Sequence, residues 1–208
     1  MQDPNRRAFL SLSALLALGL FAPGTRAQGN APYVQLAAPQ PTQSPGKIEV
    51  LEFFSYGCPH CKEFHPILKR WLARQPASVA FRRVPVVWQG RVMWNNLAQF
   101  YYALEQMGDL ARLDDAVFVA IHEQRQQLYD ETRMSTWYVK QGGDSKKFSA
   151  AYKSFSVQSK VKQAERLAQD MKIESVPALI VEGRYLIQGD TLQSQVTNLD
   201  ALIAQLQK

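Results

Sequence analysis

The chain contains two cysteines, Cys58 and Cys61, with only Pro59 and His60 between them. A loop that short restrains little of the unfolded chain, so the pair cannot staple a small scaffold and the core must come from packing. A structural zinc site needs four ligands, and His60, His65 and His122 with no second Cys-x-x-Cys are a poor set for one. Covalent haem attachment requires His directly after the second cysteine, where this chain has Lys62. Thiol redox chemistry is the leading reading, and an inert local disulfide is the alternative.

The flanking pattern says where the pair sits. Lys47 to Phe54 begins with alternation and ends as a continuous apolar run, which suits an interior strand. Ser55-Tyr56-Gly57 follows, and then a helix from about Pro59 to Ala73, with Phe64, Leu68, Trp71 and Leu72 on one buried face. Pro59 in the first helical position loses no hydrogen bond. Cys58 therefore stands at a helix N-terminus, where unpaired backbone N–H groups and the helix dipole favour a thiolate. Cys61, one turn further in, is expected to be shielded, while position 58 is expected to be open. His60 adds a second stabiliser, by charge or by a hydrogen bond to the Cys58 sulfur. For a two-electron couple about 30 mV corresponds to roughly 1.4 kcal/mol, so one side chain there matters.

The 208 residues, 46% of them hydrophobic, allow one domain carrying a large insertion. Tyr33 to Leu36 reads as an edge strand, and Val79 to Val84 as a strand that Pro85 keeps from the sheet centre. From Met93 the pattern turns helical: Trp94 to Met107, Asp109 to His122, Ser135 to Gln141 and Ser145 to Ser154, punctuated by Gly108 and Gly142-Gly143. Val157 to Met171 is a further helix. Val176 to Val181 and Arg184 to Ile187 form a hairpin around Glu182-Gly183, and Thr191 to Leu206 closes the chain as an amphipathic helix. The order describes an α/β fold with a mixed sheet, a βαβ unit and an αββα unit separated by a helical block.

Arg6 and Arg7 precede an apolar run from Ala8 to Phe21, and small and turn-forming residues lead to Ala27. A run of about 14 residues fits a signal peptide, with cleavage after Ala27, and falls short of a membrane-spanning helix. Asn5-Arg6-Arg7-Ala8-Phe9-Leu10 is similar to a twin-arginine export signal, which leaves the general secretory and twin-arginine routes both open. Either route ends outside the cytoplasm, where disulfides persist. The formal charge of +6 comes without any Lys or Arg run longer than two, which argues against nucleic-acid binding.

The segment Leu51-Glu52-Phe53-Phe54-Ser55-Tyr56-Gly57-Cys58-Pro59-His60-Cys61 resembles the active-site segment of the DsbA-type periplasmic thiol:disulfide oxidoreductases. Ser175-Val176-Pro177-Ala178 resembles their cis-proline loop, and the helical block lies where that family interrupts its thioredoxin fold. The resemblance implies residues 28–90 and 159–208 as the two parts of a thioredoxin-like domain, with 91–158 as an inserted helical domain. It implies a catalytic set of Cys58, Cys61, His60 and Glu52, the last a buried acid that moves protons for the inner cysteine. It implies that Pro59, Val176 and a cis Pro177 meet the substrate, the Val176 backbone pairing with an extended segment. The strongly oxidising couple known for that family is carried over in the same way. No cofactor is implied beyond the redox-active Cys58–Cys61 disulfide.

The implied partners are unfolded exported polypeptides with free thiols and a DsbB-type inner-membrane oxidase linked to quinone. The chain would act as a monomer in the periplasm of a Gram-negative bacterium. Arg82 and Arg83 depart from the pattern, because the lysine that often neighbours the buried acid has no evident counterpart. His65, before Pro66, reads as a helix-surface residue; Trp88, Met93 and Trp94 read as core or as walls of an apolar groove. A disulfide isomerase or reductase, and a peptide-binding chaperone with a structural disulfide, are the competing functions.

Overall fold

Strand β2 (Ile48–Phe54) buries six of its seven residues, so it needs cover on both faces and a neighbour at each edge. It lies parallel to β3 (Val79–Pro85) and antiparallel to β4 (Ala178–Val181). Beyond β4 come β5 (Tyr185–Ile187) and β1 (Tyr33–Gln35), giving one sheet in the order β1-β5-β4-β2-β3. Pro85 closes the edge strand, as a residue without an N–H must. The computed structural model describes residues 31–208; the anticipated leader, residues 1–27, lies outside the described residues.

A parallel pair needs a crossover, and α1 (Pro59–Leu72) supplies it between β2 and β3. The closing helix α7 (Leu192–Leu206) packs beside α1 over Val50, Leu179 and Val181 of the sheet. The Trp71 indole N–H donates to Asp200 at 2.7 Å and ties the two helices together. Leu72, anticipated on the buried face, is 40% exposed, because the core takes Trp71 at that turn.

Five helices lie between β3 and β4 in the chain: α2 (Val92–Gln106), α3 (Leu110–His122), α4 (Glu131–Lys140), α5 (Ser145–Tyr152) and α6 (Phe155–Asp170). Asp130, Asp144 and Ser154 cap the last three through their side chains. The Asp130 cap starts α4 four residues earlier than the spacing around Ser135 suggests. Leu51, Phe53 and Val84 of the sheet join Phe100, Phe118 and Val161 in one apolar cluster, so sheet and helical block share a core. The 158/159 junction anticipated from the sequence falls inside the continuous helix α6. No helix among the described residues is long and apolar enough to cross a membrane.

The β4–β5 hairpin turns on Glu182 and Gly183, both at positive φ (54° and 58°), with the Arg184 N–H donating to the Val181 carbonyl at 3.0 Å. Those signs are the ones a type I′ turn needs to match strand twist. A Cβ on Gly183 would lie 2.1 Å from the Gln40 carbonyl oxygen. Gly183→Ala is therefore expected to destabilise the fold by about 2 kcal/mol or more, read from the urea midpoint at unchanged slope.

Candidate active site

Cys58 is the N-cap of α1, with extended backbone (φ −94°, ψ 118°), and its sulfur accepts the Cys61 backbone N–H at 3.4 Å. Pro59 follows at the start of the helix, and the Cys58 N–H donates back to the Ser55 carbonyl at 3.1 Å. The sulfur thus occupies the place that a Ser or Asp oxygen fills in an ordinary cap. Charge on it is met by helix N–H groups.

Both cysteines are thiols in this structure. Cys58 is 6% exposed and Cys61 is fully buried. The outer thiol is less open than its position at a helix end suggests, because the loop before β4 lies against it and its S–H donates to the Val176 carbonyl at 3.4 Å. The peptide bond joining Val176 to Pro177 is cis. Strand β4 begins only at Ala178, two residues later than the apolar pattern implies, which leaves Val176 and Pro177 in the loop facing the thiol.

The two thiols ionise in opposite directions. A hydrogen bond from the Cys61 thiol, helped by the Cys61 and His60 backbone groups and by His60 charge, outweighs burial and lowers the Cys58 pKa to about 6. Burial pushes Cys61 upward, and the neighbouring sulfur and the Glu52 charge push it further. His60 itself is an exposed side chain whose Nδ1 lies 3.3 Å from Glu63 Oε2. Its ring acts on the sulfur by charge through space, more weakly than the Cys61 thiol does.

Glu52 is buried, 1% exposed, and faces Arg83 across the parallel β2–β3 register. Arg83 Nε donates to Glu52 Oε2 at 2.6 Å, while Nη1 donates to the two Asp114 oxygens at 2.9 and 2.7 Å. The guanidinium also lies 3.7 Å from the centre of the Phe54 ring. Arg83 is thus the basic neighbour that the sequence left unassigned. Burial raises the Glu52 pKa despite the opposing arginine. Glu52 Oε1 and Arg83 Nη2 are both buried without a hydrogen-bond partner among the described residues.

His65 corrects the surface assignment: it is 8% exposed, with Nε2 2.6 Å from Asp115 Oδ1 and 3.6 Å from Asp114 Oδ2. Four residues after Cys61, it falls on the inward face of α1, opposite the two aspartates of α3. That i, i+4 spacing was the available signal. Trp88 and Trp94 are partly buried with rings 4.7 Å apart, and Met93 approaches Gly57 in the turn before Cys58. Tyr56, Arg83, Asp114 and His122 also surround the site, and sequence reasoning gave none of them a role there.

A family model described as the DSBA-like thioredoxin domain matches residues 49–200. The chain belongs to that family. The thiol:disulfide interchange protein DsbA of Bordetella parapertussis is 39% identical over 212 residues, covering 100% of both chains. The DsbA of Azotobacter vinelandii is 40% identical over 185 residues, with 85% of this chain and 86% of the relative covered. The crystal structure of Pseudomonas aeruginosa DsbA superposes with a TM-score of 0.80 at 35% identity, over 85% of this chain and 92% of that one. As a member of the DSBA-like family, with a thioredoxin fold around its cysteine pair, this chain is a protein-disulfide oxidoreductase.

Two outcomes follow from the ionisation. Between about pH 6 and 9 the folded Cys58 has lost a proton that the unfolded thiol still holds, so stability of the reduced form rises with pH and is lost as pH falls toward 6. The effect is absent from the disulfide form, which has no thiol to titrate. The gap between reduced and oxidised urea midpoints should therefore move in favour of the reduced form from pH 6 to pH 8; a constant gap would contradict the assignment. Second, Cys61→Ala should raise the Cys58 pKa more than His60→Ser does, as measured by ultraviolet thiolate absorbance, since the thiol donor is the larger contribution.

Proposed function

We propose that this chain is a dithiol oxidase that donates a Cys58–Cys61 disulfide to reduced, unfolded polypeptides exported to the periplasm of a Gram-negative bacterium. The observation that carries this reading is the opposed ionisation of two thiols one helical turn apart: Cys58 at about 6, Cys61 pushed upward. Stabilising the reduced thiolate makes the disulfide state more oxidising.

The reaction begins when a substrate thiolate attacks Cys58 sulfur in the disulfide form. The Cys58–Cys61 bond breaks, Cys61 departs with the electron pair, and a mixed disulfide joins Cys58 to the substrate. A second substrate thiolate then attacks the substrate sulfur of that bond, and Cys58 leaves as a stable thiolate. The substrate has lost two electrons and the dithiol has gained them. Cys61, buried and with a raised pKa, is a poor leaving group unless it is protonated as it departs. Glu52 is the acid suited to that transfer, because burial keeps its proton on at higher pH than an exposed carboxyl would.

The backbone at Val176 and the Pro177 ring, beside Cys58 and Pro59, form the strip on which an extended substrate segment would lie. His60 supplies a nearby charge. The chain needs no cofactor of its own, works as a monomer, and is returned to the disulfide form by a DsbB-type membrane oxidase that passes electrons to quinone.

Equilibration in glutathione buffers, combined with oxidative refolding of a reduced test protein, examines this reading. The wild type should be more oxidising than glutathione and should form disulfides in the test protein stoichiometrically. Cys58→Ser should abolish both. Glu52→Gln should slow the appearance of free Cys61 about tenfold or more while leaving Cys58 alkylation unchanged. Refolding assistance that survives Cys58→Ser would point to a chaperone, and efficient reshuffling without net oxidation would point to an isomerase.

A further inference from the structure

The peptide joining Tyr56 to Gly57 is separated from Cys58 by one further peptide bond, and it is fixed at both of its polar ends. Its N–H donates to Ser55 Oγ at 3.2 Å. Its carbonyl lies 2.7 Å from His122 Nε2, and because a carbonyl has no proton to give, the imidazole donates. Tyr56 is held a second time, for its hydroxyl donates to Asp114 Oδ1 at 2.6 Å. Asp114 and His122 both belong to α3, eight residues or about 12 Å apart along its axis. One helix of the inserted block therefore grips one tyrosine by its side chain and by its backbone.

Such a grip is needed because glycine accepts conformations that other residues resist, so a Tyr-Gly peptide rotates easily unless anchored. On the far side of the loop a Cβ at Gly57 would lie 3.1 Å from Leu97 Cδ1 of α2. The loop is thus held between α2 and α3. Rotation of the peptide would release the Gly57 N–H from Ser55, the residue whose carbonyl accepts the Cys58 N–H and whose backbone also bonds the Cys61 sulfur. The His122 ring is itself set by stacking on Phe118, 27° between planes.

We infer that His122 is a positioning residue for thiol–disulfide exchange: by donating to the Tyr56 carbonyl it fixes the turn before Cys58, and through that turn it sets how well the Cys58 thiolate is tolerated. Nothing in the family match or in the active-site motif assigns it this role. The inference rests on the reading of Cys58 as the acidic thiol.

The test compares His122→Leu, which loses the donor, with His122→Gln, whose side-chain amide carries an N–H to the position of Nε2, and with His122→Asn, whose shorter amide does not reach. Three quantities are read on the full mature chain: the Cys58 pKa, the equilibrium constant with glutathione, and the urea midpoints of the oxidised and reduced forms. His122→Leu and His122→Asn should raise the Cys58 pKa by about one unit and shift the glutathione equilibrium about tenfold toward the protein disulfide. His122→Gln should restore both toward wild type. The reduced form should lose more stability than the oxidised form. Equal destabilisation of the two forms with an unchanged pKa and equilibrium constant would overturn the inference and leave His122 a structural residue. An ordinary Cys58 pKa in the wild type would overturn the underlying reading as well, so the two failures are distinguishable. Should His122→Leu fail to fold, the comparison of Asn with Gln decides the matter alone.

Discussion

The chemistry of this protein depends on a sulfur taking the place of an oxygen at a helix cap. An N-cap side chain normally satisfies N–H groups that the first turn cannot pair, and Cys58 satisfies one of them from its sulfur. Charge on that sulfur is therefore useful to the helix, and the helix is useful to the charge. Cys61 lies one turn down with its thiol donating upward, so the same geometry that stabilises one anion discourages a second. Each effect follows from where β2 ends and α1 begins.

Beneath this pair is a run of charges at the junction of sheet and inserted helices. Glu52 reaches Arg83, Arg83 reaches Asp114, and Asp114 receives the Tyr56 hydroxyl. Isolated buried charges are costly, and these persist because each has a partner of opposite sign or a strong donor. The arrangement joins three elements that are distant in the chain, β2, β3 and α3. It also puts an acid with a raised pKa close enough for its charge to act on a buried thiol whose own pKa is raised.

Much of this is legible in the sequence. The Pro59 start, the Phe64–Leu68–Trp71 face and the Glu182-Gly183 turn are local signals, and local signals act within a few residues. The position of Cys58 at a helix N-terminus followed from them. What was not legible depended on partners far along the chain: His65 looked like a surface residue until α3 brought Asp114 and Asp115 against it, and Arg83 looked like a departure until strand register set it beside Glu52. Periodicity also treats a histidine as polar, which places His65 off the buried face it occupies. Leu72 failed in the opposite way, being apolar yet left at the rim once Trp71 had filled the space.

The thiol at position 58 touches the carbonyl of residue 176, which is 118 residues later in the chain. During synthesis the motif therefore emerges long before the segment that covers it. Until that segment arrives Cys58 lacks the cover of the loop before β4, whatever the first turn of α1 already supplies to its sulfur. The complete surroundings of the outer thiol are consequently a property that arrives late, with the last strands of the sheet to be made.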